Sequence, residues 1–294
     1  MPVPRILILG SNGGLGRALV RKLVPKHEVT AWTRADLDFE QPEAIADNLA
    51  RCEFDVLLNP AGMTSPDVCE SQPEKAHLAN VTGPQVLAQC CHERGARLIH
   101  FSTDHVFSGE SSAVLLEDDA TSPINVYGRA KREGELVILK TCPSALVARV
   151  SWLFGPDKPS HPDHIIARAQ QTDDLTAVAD KMSIPTSTAD ISDWIERIIH
   201  HHPKANGVLH MCNSGAASWH SWSEVTLEIA ERLGLPVKTT RVSPIKLAEL
   251  TQFKARRPLS TVMSNQRLQN LLGIEIRHWS AALEDYLVEK YQPR

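Results

Sequence analysis

Residues 6–16 read Ile6-Leu7-Ile8-Leu9-Gly10-Ser11-Asn12-Gly13-Gly14-Leu15-Gly16, and this stretch decides the predicted fold. Its first four residues form an apolar run, which is typical of a strand buried on both faces of a parallel sheet. Residues 17–24 then show helical periodicity, and Pro25 ends the predicted helix. A strand, a glycine-rich turn and a helix in this order favour a dinucleotide site, with an ordinary glycine-rich turn as the alternative.

Each glycine of the turn has a separate physical role in such a site. Gly10 permits the tight turn, and Gly13 lets the backbone approach a pyrophosphate. Gly16 allows the helix to pack closely on the strand, while the positive end of the helix faces the anion. The turn therefore predicts that a dinucleotide binds at the start of the first helix.

Composition excludes several classes of protein. The chain has 294 residues, a formal net charge of −4 and 42% hydrophobic residues, which is an ordinary globular composition. The absence of a basic excess argues against nucleic acid as a partner, and no apolar run is long enough to span a bilayer. The six cysteines include no CxxC pair, so we expect reduced thiols in a cytoplasmic protein without a signal peptide.

Strands and helices alternate through the first half of the chain. Apolar runs predict strands at 27–33, 55–59, 97–102 and 145–150, and helical periodicity predicts helices at 41–51, 74–94 and 125–140. With short connections, this order predicts an α/β fold with a Rossmann-like, doubly wound parallel sheet.

The pattern changes after Trp152. A loop rich in proline and glycine is predicted at 154–162, a helix at 188–202, a strand at 207–211, a helix at 223–233 and a strand at 236–240, with further helices within 258–270 and 280–289. We expect residues 1–153 to form a dinucleotide-binding domain, to which residues 183–215 return. Residues 154–182 and 216–294 would form a smaller, interleaved C-terminal substrate-binding lobe.

Two further patches carry chemistry. Ser102-Thr103-Asp104-His105 follows the fourth predicted strand, at the sheet edge where open α/β sheets bind ligands. Tyr127 and Lys131 are four residues apart, so on a helix they share a face, although such a pair also occurs by chance on surface helices. An adjacent ammonium lowers the pKa of a phenol, which suits acid–base catalysis. Together with Thr103, this pair is predicted to bind a carbonyl oxygen beside a nicotinamide.

These motifs together resemble the dTDP-4-dehydrorhamnose reductase family, within the extended short-chain dehydrogenase/reductase superfamily. The GxxGxxG spacing of the first turn is that of the superfamily, and the resemblance runs over nearly the whole chain. The narrower resemblance rests on Arg149-Val-Ser-Trp152 and Pro185-Thr186. It implies NAD(P)H-dependent reduction of the 4-keto group of a nucleotide-sugar, with dTDP-4-dehydro-L-rhamnose as the leading substrate.

The resemblance also implies roles for individual residues. Tyr127 would donate the proton, Lys131 would hold the nicotinamide ribose and Thr103 would orient the ketone. The residues expected to bind the cofactor are Gly10, Asn12, Gly13, Leu15, Gly16, Arg34, Asp38, Ala61, Gly62, Tyr127 and Lys131. Those expected on the substrate side are Asp104, His105 and Trp152, with Arg257 as a candidate for the diphosphate because guanidinium pairs bidentately with phosphate.

The chain departs from the family in two places. His105 stands where the family usually has Tyr, and residues 180–184 read Asp-Lys-Met-Ser-Ile where the family has an acidic residue and Gln ahead of Pro-Thr. Arg34 lies at the end of the second predicted strand, where an Arg would accept a 2′-phosphate, so NADPH is the expected cofactor and NADH the alternative.

Other interpretations stay open at this point. A non-catalytic regulatory subunit similar to that of methionine adenosyltransferase, or a nucleotide-sugar epimerase or dehydratase, would share the fold. The run His200-His201-His202 points its rings in different directions, which favours a solvated helix end, and no metal site is predicted. A homodimer is compatible with the sequence.

Overall fold

A computed structural model of the protein describes residues 3–292, and its centre is a six-stranded parallel sheet in the order β2-β1-β3-β4-β5-β10. Its strands are β1 (Arg5–Leu9), β2 (Glu28–Trp32), β3 (Val56–Asn59), β4 (Arg97–Thr103), β5 (Leu146–Val150) and β10 (Gly207–His210). Chain order reverses between β1 and β3, which creates a crevice at the carboxyl ends of these strands.

Helices cover both faces of the sheet. One face carries α1 (Gly14–Leu23) and α8 (Thr188–His201), and the other carries α2 (Pro42–Ala50), α5 (Gly83–Arg94) and α6 (Val126–Thr141). Along β1, Ile6 and Ile8 face the first pair of helices, whereas Leu7 and Leu9 face the second group. Burial on both faces explains the continuous apolar runs, and the predicted doubly wound parallel sheet is confirmed.

The long helix predicted at 74–94 is divided into three parts. The segments are α4 (Pro73–His77), a π-helical turn at Leu78–Thr82 and α5, and a short helix α3 (Pro66–Ser71) precedes them. Pro84 has no backbone N–H to donate to the carbonyl of Asn80, so the regular α-helical ladder is interrupted there. The backbone of Gly134 in α6 approaches the same carbonyl so closely that a Cβ would lie 2.1 Å from it.

The rest of the described chain adds short strands and four α-helices. The strand pairs are β6 (Leu153–Phe154) with β9 (Thr186–Ser187), β7 (Thr176–Val178) with β12 (Ser243–Ile245), and β8 (Met182–Ser183) with β11 (Ala217–Ser218). The helices are α7 (His161–Ala169), α9 (Trp219–Arg232), α10 (Gln266–Leu272) and α11 (Trp279–Tyr291). A separate apolar cluster joins residues of α7, α9 and α11.

Three local predictions were wrong. The strand expected at 236–240 is irregular, and the strand of this region is β12. Helix α9 starts at Trp219, four residues before the predicted start, because Ser218 and Ser221 form a capping box there. The loop expected at 154–162 ends in the first turn of α7, where Ser160 and Asp163 cap the helix and Pro162 is tolerated.

The helices were compared with the length and apolarity that a membrane span requires. Between residues 3 and 292, none of them is both long enough and apolar enough to cross a bilayer.

Candidate active site

A cleft of about 1020 Å³ opens at the carboxyl ends of β1, β3, β4 and β5. One wall is the glycine turn after β1, and the opposite wall contains Trp152, Trp219, Trp222 and Arg257. This is the crevice in which open parallel sheets bind their ligands.

The glycine turn has the geometry expected for binding a pyrophosphate. Gly10 has a φ of +64°, and a Cβ at this position would lie 2.9 Å from the Cβ of Ala61. The N–H of Gly13 donates to the carbonyl of Gly10 at 3.0 Å, and α1 begins at Gly14. A Cβ on Gly16 would lie 2.1 Å from the same carbonyl, so the backbone packing requires glycine at positions 10 and 16, whereas a Cβ on Gly13 would lie 3.3 Å from that carbonyl.

The turn after β3 forms the neighbouring side of the cleft. Gly62 has a φ of +154°, and a Cβ there would lie 2.6 Å from Oδ1 of Asn80. The amide of Asn80 donates to the carbonyl of Met63 at 3.0 Å and accepts from its N–H at 3.1 Å. The π-helical turn therefore anchors the loop that contains Ala61 and Gly62.

Thr103 and Tyr127 come together at the floor of the cleft, and both are buried. Burial raises the pKa of Tyr127, whereas hydrogen bonding to the side chain of Thr103 opposes that shift. The predicted lowering of this pKa by Lys131 was wrong for the protein as described, because desolvation of the phenol dominates. A phenol that stays protonated is the form needed by a proton donor.

Lys131 is buried beside Tyr127, on the same helix face, with its ammonium directed towards β4. Its Nζ donates to the carbonyl of Phe101 at 2.6 Å and lies 3.2 Å from Nε2 of His100. Burial lowers the pKa of Lys131 to about 8, against the opposing influence of Glu135.

His100 is a residue that sequence reasoning missed. Oδ1 of Asn59 accepts the N–H of Ala61 at 3.2 Å, so the amide group of Asn59 faces Nδ1 of His100 at 2.9 Å. This assignment leaves the proton of His100 on Nε2, directed at Lys131. Two facing donors disfavour the ammonium, which agrees with the lowered pKa of Lys131. The signal in the sequence was a polar residue inside an otherwise apolar strand.

Asp104 is buried and connects three segments of the chain. It accepts hydrogen bonds from Thr103 at 3.1 Å and from Ser183 at 2.9 Å, and a further one from Thr261. Although Asp104 lines the cleft, these three hydroxyls occupy its oxygens. The carboxylate therefore acts on the position of Thr103.

His105 lies edge-on to Tyr127, with ring centroids 5.4 Å apart. The side-chain amide of Asn125 lies 3.2 Å from Nδ1 of His105 and 2.8 Å from the carbonyl of Arg256. Burial is the main reason that the pKa of His105 is lowered to about 4, so the imidazole is neutral at pH 7. Since Nδ1 accepts from the amide, Nε2 carries the proton that a ligand oxygen would accept.

Aromatic rings form the far wall of the cleft. Trp152 stacks on Trp222 at 5.7 Å and lies 6.0 Å from Trp219. Within residues 3–292, Trp152 is the one non-glycine residue with a clearly positive φ, +41°. Such a conformation is strained, and strain of this kind concentrates at functional sites.

Lys181 is a second residue missed from the sequence, where it was noted only as a departure from the family. It is 1% exposed, and its Nζ donates to the carbonyl of Pro258 at 2.6 Å and lies 5.6 Å from the Trp152 ring. Burial lowers its pKa to about 8, while Asp104 has the opposite effect. Burial of a lysine could not be read from the short polar run around it.

The two arginines of the predicted site are both paired with acids. Arg257 contacts Asp67 at 2.5 Å and lies over the ring of Phe253. Arg34 is two-thirds exposed and pairs with Asp38 at 3.3 Å and Glu40 at 2.6 Å. The predicted site residues all line the one cleft, namely Gly10, Asn12, Gly13, Leu15, Gly16, Arg34, Asp38, Ala61, Gly62, Thr103, Asp104, His105, Tyr127, Lys131, Trp152 and Arg257.

The parallel sheet, the glycine turn and the buried Tyr-Lys pair define a dinucleotide-binding α/β protein of the short-chain dehydrogenase/reductase type. The family model described as the RmlD substrate binding domain matches residues 4–292, and the chain belongs to this family. The resemblance inferred from the motifs is thus confirmed.

Named relatives agree with this assignment. The dTDP-4-dehydrorhamnose reductase of Escherichia coli (strain K12) is 29% identical over 293 residues, covering 97% of this chain and 98% of that protein. A probable dTDP-4,6-dihydroxy-2-methyloxan-3-one 4-ketoreductase of Streptomyces antibioticus is 34% identical, covering 96% and 94%. The crystal structure of a Bacillus anthracis dTDP-4-dehydrorhamnose reductase in complex with NADP has a TM-score of 0.90 at 25% identity, covering 98% and 100%.

Proposed function

We propose that the protein is an NADPH-dependent reductase that converts the 4-keto group of a nucleotide-sugar to a hydroxyl, with dTDP-4-dehydro-L-rhamnose as substrate. The observation that carries this proposal is the convergence of Thr103, Tyr127 and Lys131 at the floor of a cleft that begins at the glycine turn. Relatives named for this reduction span nearly the whole chain, and one related structure holds NADP.

The residues present suit this reaction. When bound, the nicotinamide supplies a hydride to C4 of the sugar. Tyr127 gives its phenolic proton to the developing C4 alkoxide. The Thr103 hydroxyl turns its single proton from Asp104 to the same oxygen and holds that oxygen by a hydrogen bond. Lys131 holds the ribose and, while charged, stabilises the phenolate that remains. The raised pKa of Tyr127 keeps the proton in place until charge develops on the substrate.

The cofactor side of the cleft also supports the proposal. The N-terminal end of α1 presents backbone N–H groups to the pyrophosphate, next to Gly10, Asn12, Gly13, Leu15 and Gly16. Arg34 lies at the adenosine end, where it would pair with a 2′-phosphate, and Asp38 holds its guanidinium in place. NADPH is therefore the proposed cofactor, and NADH would bind without this contact.

The substrate is proposed to lie between the sheet and the second half of the chain. We assign residues 1–153 and 183–215 to the dinucleotide and residues 154–182 and 216–294 to the nucleotide-sugar. Trp152 would stack on a ring of the substrate, and Arg257 would hold the diphosphate. His105 and Lys181 also line the cleft, and their N–H groups would contact sugar oxygens.

The reaction is tested by feeding pure protein NADPH and dTDP-4-dehydro-L-rhamnose and following cofactor absorbance and product. Consumption of NADPH with formation of dTDP-L-rhamnose supports the proposal. A dinucleotide that survives gel filtration, with turnover but no net oxidation, would indicate an epimerase or dehydratase. No turnover together with copurification of a larger partner would indicate the regulatory-subunit alternative.

The cellular compartment is proposed from the state of the cysteines. All six cysteines are free and buried, which suits the reducing cytoplasm, where NADPH is available. A homodimer stays a prediction.

A further inference from the structure

A second cluster of ligand-type side chains lies at the opposite edge of the sheet from the cleft. It consists of His27, directly before β2, and Glu196 and His200, which are four residues apart on α8. The ligand atoms of these three side chains all lie within 4.8 Å of one another. His200 therefore lies beside His27, which precedes β2, and beside Glu196, one turn earlier on α8. The neighbouring His201 and His202 are not part of this cluster.

The distances in this cluster suit one small cation. Nε2 of His27 and Nε2 of His200 are 3.1 Å apart, and their rings are tilted by 32° with centroids 4.8 Å apart. Two imidazole nitrogens bound to tetrahedral zinc at ordinary bond lengths lie roughly 3.3 Å apart. The two ring nitrogens thus already face one another at nearly the spacing of a shared metal.

The cluster contains two buried polar atoms that have no hydrogen-bond partner among residues 3–292. These atoms are Nδ1 of His27 and Oε1 of Glu196. A buried polar atom without a hydrogen-bond partner is a position at which a bound ion or water is expected.

Glu196 is the acidic member and has two lysine partners. Its Oε1 lies 2.9 Å from Nζ of Lys26, and its Oε2 lies 3.3 Å from Nζ of Lys22. Lys26 is 59% exposed and can turn into solvent, and Lys22 also pairs with Asp193. A divalent cation would replace Lys26 as the partner of Glu196 at little cost, since an exposed ion pair contributes little.

We propose that His27, Glu196 and His200 form a binding site for a divalent cation of the zinc class, which links the turn between α1 and β2 to the last turns of α8. Two imidazoles and one carboxylate match the ligand preference of Zn²⁺, Co²⁺ and Ni²⁺, with water in the remaining position. The bound ion would join the first βα unit of the sheet to the helix that precedes its last strand. It would act on stability and leave the cleft unchanged.

The test uses the full chain, stripped with a chelator and titrated with Zn²⁺ alone. We expect saturable binding by calorimetry and a raised melting temperature in the wild type. His200→Ala should weaken zinc binding on the order of 100-fold or more, since loss of an outer partner of a metal ligand already costs 10–100-fold. His200 is exposed, so this variant should fold normally.

His201→Ala is the matched control, because His201 is an exposed neighbour on the same helix. It should keep the zinc response, and Co²⁺ should give a tetrahedral visible spectrum in this variant but not in His200→Ala. Equal zinc binding by the wild type and His200→Ala would overturn the site, as would equal loss in His201→Ala or no saturable binding by the wild type. Reductase activity should be the same in both variants, so this result is independent of the proposed function.

Discussion

At the scale of single residues, burial determines what Tyr127 can do. The phenol lies against Thr103 and His105, and its raised pKa keeps it protonated at neutral pH. Tyr127→Phe should lower turnover by about 10²–10⁴-fold, the usual contribution of a general acid, and leave NADPH affinity nearly intact. Steady-state rates and a fluorescence titration with NADPH measure the two effects. A variant that keeps a third of the wild-type rate would remove Tyr127 from the mechanism.

Lys131 predicts a pH dependence of cofactor binding. Because burial lowers its pKa to about 8, the free enzyme loses this ammonium as the pH rises through that value. A neutral amine attracts an anionic dinucleotide less, so the dissociation constant for NADPH should increase above pH 8. Titrations from pH 6.5 to 9.5 measure this change. Lys131→Met should bind NADPH weakly over the whole range, without further weakening above pH 8.

Lys181 supplies the control for that experiment, since its pKa is also lowered to about 8 but it lies beside Trp152. Lys181→Gln should retain the alkaline weakening of NADPH binding. If NADPH binding no longer weakened at alkaline pH in Lys181→Gln but still did so in Lys131→Met, the titrating group would be Lys181 and not Lys131.

Arg34 predicts a preference between cofactors. Its guanidinium is held by Asp38 and Glu40 at the rim of the cleft, where a charge-assisted bond to a 2′-phosphate can form. Arg34→Ala should raise the KM for NADPH more than the KM for NADH. Arg51→Ala, an exposed arginine that does not line the cleft, should change neither value. Equal effects of Arg34→Ala on both cofactors would argue against the 2′-phosphate contact.

At the scale of elements, the π-helical turn at Leu78–Thr82 positions one wall of the cleft. Its Asn80 makes both hydrogen bonds to the backbone of Met63, and each buried group left without a partner costs about 1–3 kcal/mol. Asn80→Ala should therefore lower the free energy of unfolding by about 2–4 kcal/mol and weaken NADPH binding. Urea denaturation and cofactor titration measure the two.

Asn206→Ala is the comparison for this variant, because Asn206 is exposed and its amide bonds only the nearby carbonyl of Lys204. It should leave both quantities near the wild-type values. If Asn80→Ala changed them no more than Asn206→Ala does, the π-helical turn would have no part in forming the cleft.

Local patterns in the sequence predicted the elements that have local causes. The strands β1 and β3 are apolar runs because helices cover both sheet faces, and Gly16 is required by its contact with the carbonyl of Gly10, six residues earlier in the chain. The π-helical turn was missed because its periodicity differs little from that of an α-helix. The early start of α9 was missed because its capping serines lie among residues that resemble a loop.

At the scale of the whole molecule, the candidate site depends on contacts between distant parts of the chain. Asp104 joins the end of β4 to Ser183 and Thr261, and Lys181 reaches the carbonyl of Pro258. Such partners are 77–157 residues apart, so no spacing in the sequence predicts them. Motifs predicted Thr103, Tyr127 and Lys131, whereas the buried charge of Lys181 and the pairing of His27 with His200 required the folded chain.

The reaction that we propose for this cleft is a direct hydride transfer from NADPH to C4 of the nucleotide-sugar. It is tested most directly by a turnover with NADPH that carries deuterium at the reactive carbon of the nicotinamide and with dTDP-4-dehydro-L-rhamnose. Mass spectrometry and NMR of the product locate the label. We expect deuterium at C4 of the sugar in proportion to the NADPH oxidised. With Tyr127→Phe, we expect the label to appear only as fast as the lowered turnover of that variant allows. Oxidation of NADPH that leaves the sugar unlabelled, or no oxidation by folded protein, would contradict it.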